Sequence, residues 1–562
     1  MKIDKAVLEK ISDIIDSNEN IEDILVEEND IRVLHQLTGL GDALLSWYEF
    51  DSKASILEIG SGCGRLTGLL LNRLDDVWAY EENTDTLSIL EKRYSSNSNL
   101  HAVSSLSLIP DDKKFDYVTL IGCEINEETL AEAKSFLKPD GELIIAVNNE
   151  FSLRHWTGLP SFGPSISVNR LKSLLSQAEF YSQEFYYPYP DYIMPLQIFT
   201  PERLPYANEI TNHTQNFVAN QVIFHDQAYE TAKLIENGLY EAYVNSFLVI
   251  CSKEAKPGYK LLYSKQNYYR SPEYRIQTSI YNGESVSVSK KPIHSNAKTH
   301  IENMRDNYES LSKIYRTVKV TDCWKKNGIV YFPFVNGEAL LSDLDVVHSS
   351  IDEIIAAVKK AMDVVFDYTC EGEPFEETKE FNEYYPGCHP RAGEISYPVT
   401  NIDSNFDNFI VDGDNIWCID YEWVVDFKVP INYVKFRNLL YFYTKYVSVM
   451  GPMILEKDFY AAFGFSQEDV QIYRQMEECF QLNVHGDNRK YILSSKFEKP
   501  IRSYQDIIDE NAASMNAQIN ELNNVIKAKD ELISVRIKQI AEVANRFDAV
   551  IEAKDIVIAQ LT

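Results

Sequence analysis

Apolar and polar positions alternate in two periods along the first 250 residues of the chain. Short apolar runs (ILEI, VWAY, FDYVTLIG, ELIIAVNN) are separated by segments whose apolar positions recur every three or four residues, which predicts strands alternating with amphipathic helices. That order calls for a parallel sheet covered on both faces. Residues up to about 50 predict short helices, and an apolar strand, VNSFLVICSK, closes this part at Cys251. The polar, proline- and glycine-bearing KEAKPGYK at 253–260 predicts a linker. Beyond it, RIQTSIYNG and ESVSVSKKP predict a hairpin, NAKTHIENMRDNYESLSKIY a helical segment, and IVYFPFVNGEAL the end of a strand pair. After Pro430 the pattern is helical. From about Ser503 proline and glycine vanish, and Ile508, Ala512, Met515, Ile519, Leu522 and Ile526 begin a run of four- and three-residue steps that reaches Leu561, interrupted by Lys529, Arg536 and Lys554. Such a seam predicts a coiled coil about 90 Å long.

Candidate chemistry concentrates where the first strand ends. In ILEIGSGCGRLTG, glycine stands at 60, 62 and 64, and a helix is predicted to begin near Arg65. Glycine admits positive φ and close approach of a ligand, and a strand, glycine turn and helix N-terminus together form a nucleotide-type site. A dinucleotide fingerprint needs its third glycine at position 65, so the NAD reading loses ground. Glu58, Gly60, Gly62, Gly64 and the next acidic strand end, Glu81, resemble instead the class I S-adenosylmethionine-dependent methyltransferases. The resemblance implies that the three glycines lie under the methionine half of the cofactor and that Glu81 accepts hydrogen bonds from both ribose hydroxyls, a task suited to an acceptor-only carboxylate. Where many of these enzymes carry an acid near the adenine, this chain has Ser104 and Ser105.

The segment NNEFSLRHWTGLP follows the fifth strand, where an acceptor would enter. His155 is the candidate general base because imidazole titrates near neutral pH, with Glu150 and Glu124 as alternatives. The tyrosine- and proline-dense stretch 181–205 has two readings: stacked aromatics for a sugar, or an ordered cover over the sheet. Both stretches resemble methyltransferases of bacterial surface-polysaccharide biosynthesis. The second half resembles the kinase-like fold of protein kinases, aminoglycoside phosphotransferases and choline kinases. By that resemblance Lys290 is the phosphate-contacting lysine, Glu309 or Glu302 the helix acid that holds it, and 333–337 the hinge. In TNIDSNFDNFIVDGDNIWCIDYEW, Asp403 would orient and deprotonate an acceptor hydroxyl while Asn408 and Asp420 hold Mg2+ across the phosphates of ATP. This half departs from the pattern in three places: no glycine-rich loop precedes Lys290, Asn401 stands in place of histidine, and Asp420 begins DYE.

Size and charge narrow the picture. At 562 residues the chain exceeds one core, and 54 Lys+Arg against 85 Asp+Glu give a net charge of −31, which disfavours nucleic acid and anionic lipid as partners. The eight cysteines are scattered without a CxxC pair, so neither a zinc site nor a disulfide framework is expected. The acidic opening lacks a signal-peptide core and the longest apolar stretch is broken by Lys445, which leads to the expectation of a cytoplasmic protein without a transmembrane segment, peripheral at the inner membrane only through partners. The expected organisation is an N-terminal helical segment (1–50), an α/β Rossmann-like methyltransferase domain with a parallel sheet (51–252), a linker (253–260), an α+β two-lobed kinase-like domain (261–500) and a C-terminal α-helical coiled coil (501–562). That order resembles bacterial O-antigen chain-terminating kinase/methyltransferases. The resemblance implies S-adenosylmethionine, ATP and Mg2+ as cofactors, a glycan or lipid-linked polysaccharide acceptor methylated on a sugar hydroxyl or sugar phosphate, a homo-oligomer through the coiled coil, and a glycosyltransferase partner. Two alternatives stand beside it: a methyltransferase whose kinase-like half only binds, and a coiled-coil scaffold with vestigial nucleotide folds.

Overall fold

The computed structural model describes residues 4–17, 19–28, 30–156, 163–205, 209, 221–223, 227–256, 258, 260–486 and 501–561. Two compact units emerge, one of Met1–Ala219 with Asp226–Lys499, the other of Asn220–His225 with Pro500–Thr562.

In the first unit, β1 (Ser55–Ile59), β2 (Asp76–Tyr80), β3 (Leu100–Val103), β4 (Phe115–Ile121) and β5 (Leu137–Asn149) are parallel neighbours in the order β3-β2-β1-β4-β5. Ile56 and Leu57 of β1 and Leu143 to Val147 of β5 are buried, as expected of strands covered on both faces. The order reverses between β1 and β4, and in an open sheet of this Rossmann-like kind the crevice beyond the strand ends at that reversal is the place for a ligand. Beyond β5 the antiparallel strands Ser246–Ser252 and Ser182–Tyr189 follow, then Gln197–Phe199.

The sheet does not stop there. Gln197–Phe199 pairs with Lys260–Gln266, and the sheet continues through Ile276–Asn282, Val286–Pro292, Ile329–Pro333 and Trp324–Lys326, all antiparallel. The 253–260 stretch therefore joins two strands, Ser246–Ser252 and Lys260–Gln266, of one continuous sheet.

Three short helices, Lys5–Asp16, Ile21–Glu27 and Ile31–Leu37, precede β1, and Asp4, Asn20 and Asp30 cap them by accepting from first-turn amides. Their apolar faces (Ile11, Val33, Leu37) close over Cys63 of the glycine turn, Ile89 and Tyr268. Glu22 meets the guanidinium of Arg275 at 2.9 Å and accepts from the Tyr268 hydroxyl at 2.9 Å, so this bundle touches both the glycine turn and the second half.

In the second half, helices Lys298–Glu302 and Met304–Ile314 pack beside the antiparallel strands, and the hairpin Phe409–Asp412 with Asn415–Cys418 leads to Asp420. The 333–337 segment passes from Ile329–Pro333 to Glu338–Ala339, which pairs with Phe409–Asp412. Only glycine fits at 337, where φ is +148° and a Cβ would lie 2.1 Å from the Val411 carbonyl oxygen. Helices Ile431–Lys445 and Gln467–His485 complete the core with Tyr433, Phe436, Tyr473 and Phe480.

In the second unit Ile501–Ser503 pairs in parallel with Gln221–Ile223, and a single helix runs over Tyr504–Leu561. Its 58 residues span about 87 Å at the usual rise. Among the described residues no helix is long and apolar enough to cross a membrane.

Candidate functional site

The backbone at the end of β1 turns on its glycines: φ is +75° at Gly60, +57° at Gly62 and +82° at Gly64. The amides of Gly60 and Ser61 donate to the Tyr80 carbonyl at 2.9 and 3.1 Å, which seats the turn on the end of β2. A Cβ at Gly64 would come within 2.5 Å of the Tyr94 ring, whereas one at Gly62 would meet only Gln36 Oε1, at 3.5 Å. Gly64 is thus demanded by packing and Gly62 by its φ, with room above it.

Glu81 follows β2 immediately and closes the other wall. Its Oε2 accepts from the Gly62 amide and its Oε1 from the Asn83 amide, both at 3.0 Å. One backbone donor on each oxygen fixes the carboxylate and leaves further lone pairs for two hydroxyls. The donor set suits a nucleoside such as that of S-adenosylmethionine: an anchored acceptor for the ribose beside glycine backbone for the methionine half.

Glu58, counted with the cofactor residues on sequence, lies beneath the turn, 5% exposed, where it accepts from the Thr67 hydroxyl at 2.6 Å. Burial pushes its carboxyl up to about 7 from an ordinary 4.5, outweighing the Thr67 hydrogen bond. The unfolded chain ionises this group above pH 4.5 while the folded one keeps it neutral to about 7, so its contribution to stability is full in acid and lost as pH rises between those values. Glu58→Gln keeps an acceptor for Thr67 and is expected to gain about 3 kcal/mol relative to the parent between pH 4 and pH 8. Denaturant melts of both proteins at the two pH values check this; parallel profiles contradict it.

Two arginines that sequence reasoning did not assign brace the turn. Arg65 donates to the Ile193 carbonyl at 2.7 Å, tying the 191–194 loop to the glycines. Arg93 donates to the carbonyls of Gln36 and Leu37 at 2.9 and 3.3 Å and of Cys63 and Gly64 at 3.2 and 3.3 Å, joining the N-terminal helices to the same turn. The adjacent pair Lys92 and Arg93 at the end of the helix Thr84–Arg93 was the only sequence signal for the latter.

On the acceptor side, His155 sits in the short helix Leu153–Trp156, its Nδ1 at 3.2 Å from the Glu150 carbonyl oxygen. A carbonyl can only accept, so Nδ1 is the donor of this contact. The carboxylates of Glu150 and Glu124 are exposed. Residues 157–160 of the entry segment lie outside the described residues. Of the two readings of the tyrosine-rich stretch the burial favours the cover: Tyr186, Tyr187, Tyr189 and Tyr192 are buried in the sheet core, and of its tyrosines only Tyr181, 66% exposed, faces out. The strand Ser182–Tyr189 lies between two neighbours and buries Phe185 to Tyr189 without a break, so its rings form a cover and not a sugar platform.

In the second half Lys290, 3% exposed, meets Glu422 Oε1 at 2.6 Å and also pairs with Asp420. The other oxygen of Glu422 takes Arg270 Nη1 at 2.6 Å and His300 Nε2 at 3.2 Å. Burial pushes the Glu422 carboxyl up, but Arg270, Lys290 and His300 together hold it well below the usual carboxylate range. The expected helix acid is therefore corrected. Glu309 is exposed and pairs with Arg305 at 3.1 Å, and Glu302 is exposed and pairs with Lys325 at 2.6 Å. Their helices turn Ile301, Met304, Asn307 and Leu311 inward instead.

Asp403 and Asn408 do come together: the Asn408 amide donates to the Asp403 carbonyl at 2.8 Å, and Arg437 donates to Asp403 Oδ1 at 3.1 Å. Asp403 also acts electrostatically on Asp420, whose backbone holds φ at +53°. Among the described residues no group of three or more His, Cys, Asp or Glu side chains is disposed to hold a metal. The two carboxylates and one amide oxygen are hard donors of the kind Mg2+ takes.

No family model and no curated protein matches this chain. Solved structures do. A phosphoethanolamine N-methyltransferase of Haemonchus contortus, in complex with phosphoethanolamine and S-adenosylhomocysteine, is 16% identical over 30% of this chain and 37% of that one, with a TM-score of 0.20. The match thus spans little more than a third of the nematode enzyme. A SAM-dependent methyltransferase of Thermotoga maritima is 14% identical over 40% of this chain and 92% of its own, TM-score 0.25. One from Archaeoglobus fulgidus is 16% identical over 36% and 87%, TM-score 0.24. Likeness of this degree carries no weight beside the strand order and the glycine turn themselves.

Proposed function

We propose that the chain transfers a methyl group from S-adenosylmethionine to an oxygen of a surface-polysaccharide acceptor, a sugar hydroxyl or sugar phosphate, and that its second half phosphorylates the same acceptor with ATP and Mg2+. The observation that carries the first activity is the set of three positive-φ glycines at the β1/β4 reversal, with Gly62 bonded to Glu81. The sulfonium of the cofactor supplies an activated methyl group. The chain's part is to align donor and acceptor in line and, for a hydroxyl, to remove its proton. Nε2 of His155 is the acceptor for that proton.

What supports the second activity is the strand order of the antiparallel half, the approach of Lys290 to Asp420, and the Asp403–Asn408 pair at the foot of the hairpin. The glycan class of the acceptor comes from the sequence resemblance.

Radiolabelled methyl transfer to glycans bearing either a free or a phosphorylated terminal sugar tests the reading. With a hydroxyl acceptor, His155→Ala is expected to lower turnover by about a hundredfold or more, whereas a phosphate acceptor, already ionised, loses little. Equal losses on both acceptors would remove His155 from the role of base.

The helix Tyr504–Leu561 supports self-association. Ile526, Ile540 and Phe547 of its heptad seam are 55%, 68% and 65% exposed, a repeat that a coiled coil with further copies would bury. Ile526→Asp places a charge in that seam and is expected to shift the sedimenting species to single chains; an unchanged oligomer would rule the seam out as the contact.

A further inference from the structure

The lysine of the second half has two carboxylate partners of different character. Asp420 offers a side chain 41% exposed, on a residue held at φ +53°. Glu422 is enclosed: one oxygen holds Lys290 at 2.6 Å, the other holds Arg270 at 2.6 Å and His300 at 3.2 Å. Its backbone is pinned as well, since Asn307 Nδ2 donates to the Tyr421 carbonyl at 3.0 Å and the Glu422 carbonyl at 3.4 Å. Trp423 closes the pocket, with the Arg270 guanidinium over its ring at 5.2 Å. A lysine so held can release the exposed carboxylate and stay anchored and charged on the buried one, because a carboxylate 2.6 Å away in a dry site stabilises the ammonium strongly. The acids of the neighbouring helices, Glu302, Asp306 and Glu309, are exposed, and Glu302 and Glu309 have partners of their own.

We propose that Glu422, braced by Arg270 and His300, is the positioning residue that aims the Lys290 ammonium at the phosphates of a nucleoside triphosphate, taking the place of an acid on the adjoining helix. The inference rests on the nucleotide reading of the second half.

The cluster is charge-balanced, Lys290 and Arg270 against Asp420 and Glu422, so removing Glu422 alone would leave an uncompensated buried cation and threaten folding. The test therefore uses the full chain with Arg270→Gln and Glu422→Gln combined, which keeps the balance. Glu422→Asp and Glu309→Gln stand beside it. Calorimetric titration with ATP and Mg2+ reads the nucleotide, and thermal melting with S-adenosylhomocysteine binding reads the fold. The double variant is expected to melt as the parent does and bind ATP at least tenfold more weakly. Glu422→Asp should recover part of that affinity, and Glu309→Gln should bind as the parent. Parental affinity in the double variant, or a tenfold loss in Glu309→Gln, overturns the assignment of Glu422. A parent that does not bind ATP overturns the nucleotide reading and this inference with it, an outcome visible before any variant is compared.

Discussion

Glu81→Ala is expected to weaken S-adenosylhomocysteine binding about a hundredfold. The carboxylate is held by the amides of Gly62 and Asn83 at 3.0 Å each, so it is oriented before a ligand arrives and spends little ordering entropy on binding. Two ribose hydroxyls donating to a charged acceptor contribute about 1.5 kcal/mol each, and about 3 kcal/mol is roughly two decades of affinity. Alanine also strips the Gly62 amide of its partner, which loosens the turn proposed to carry the methionine half. Glu81→Gln keeps one acceptor oxygen and should fall between the two. Calorimetry on the three proteins reads the series; equal affinities would mean that the carboxylate serves only the turn.

The second large effect lies in the other half. Arg437→Ala is expected to destabilise that half by about 3–5 kcal/mol, because it leaves a buried carboxylate without its cation. Arg437 is 2% exposed and holds Glu477 at 2.6 Å through Nε, while its Nη1 donates to the Ile402 carbonyl at 2.8 Å and to Asp403 at 3.1 Å. Glu477 keeps Tyr433, Tyr441 and Gln481 as donors, but none of them supplies charge. Denaturant melts followed by tryptophan fluorescence read the loss. Arg437→Lys retains the charge but not the forked geometry, and should recover only part. A melt unchanged by Arg437→Ala would mean that water replaces the guanidinium and that the pair is dispensable.

The first half was legible because its signals are local. The glycine spacing fixes the turn within five residues, and strand ends put Glu81 beside it. Periodicity likewise drew the long helix. What sequence could not show depends on pairing between distant segments. Gln197–Phe199 meets Lys260–Gln266 across some sixty residues, so a polar stretch between two strands of one sheet reads as a linker. The same holds for Arg65 and the 191–194 loop.

Two other differences were of another kind. Ile301, Met304, Asn307 and Leu311 define the inward face of the 298–314 helices, and Glu309 stands opposite it, so its exposure was already written in the helical period. Glu422, two residues past Asp420, gives no local signal of its role, because its partners Arg270, Lys290 and His300 come from distant segments. Phe185, Tyr186, Tyr187 and Tyr189 form a near-continuous run buried on both faces of one strand, and aromatic density alone does not separate a cover from a ligand platform.

Titrating the intact chain with S-adenosylhomocysteine beside Gly62→Arg tests the proposed cofactor site at the glycine turn most directly. Gly62 has φ +57° with room above it, so arginine there fills the space proposed for the cofactor and strains only the turn. The structure predicts saturable binding of one ligand per chain, lost in the variant while its helical content and sedimentation remain those of the parent. No binding to the parent, or binding that survives arginine at position 62, would contradict the site.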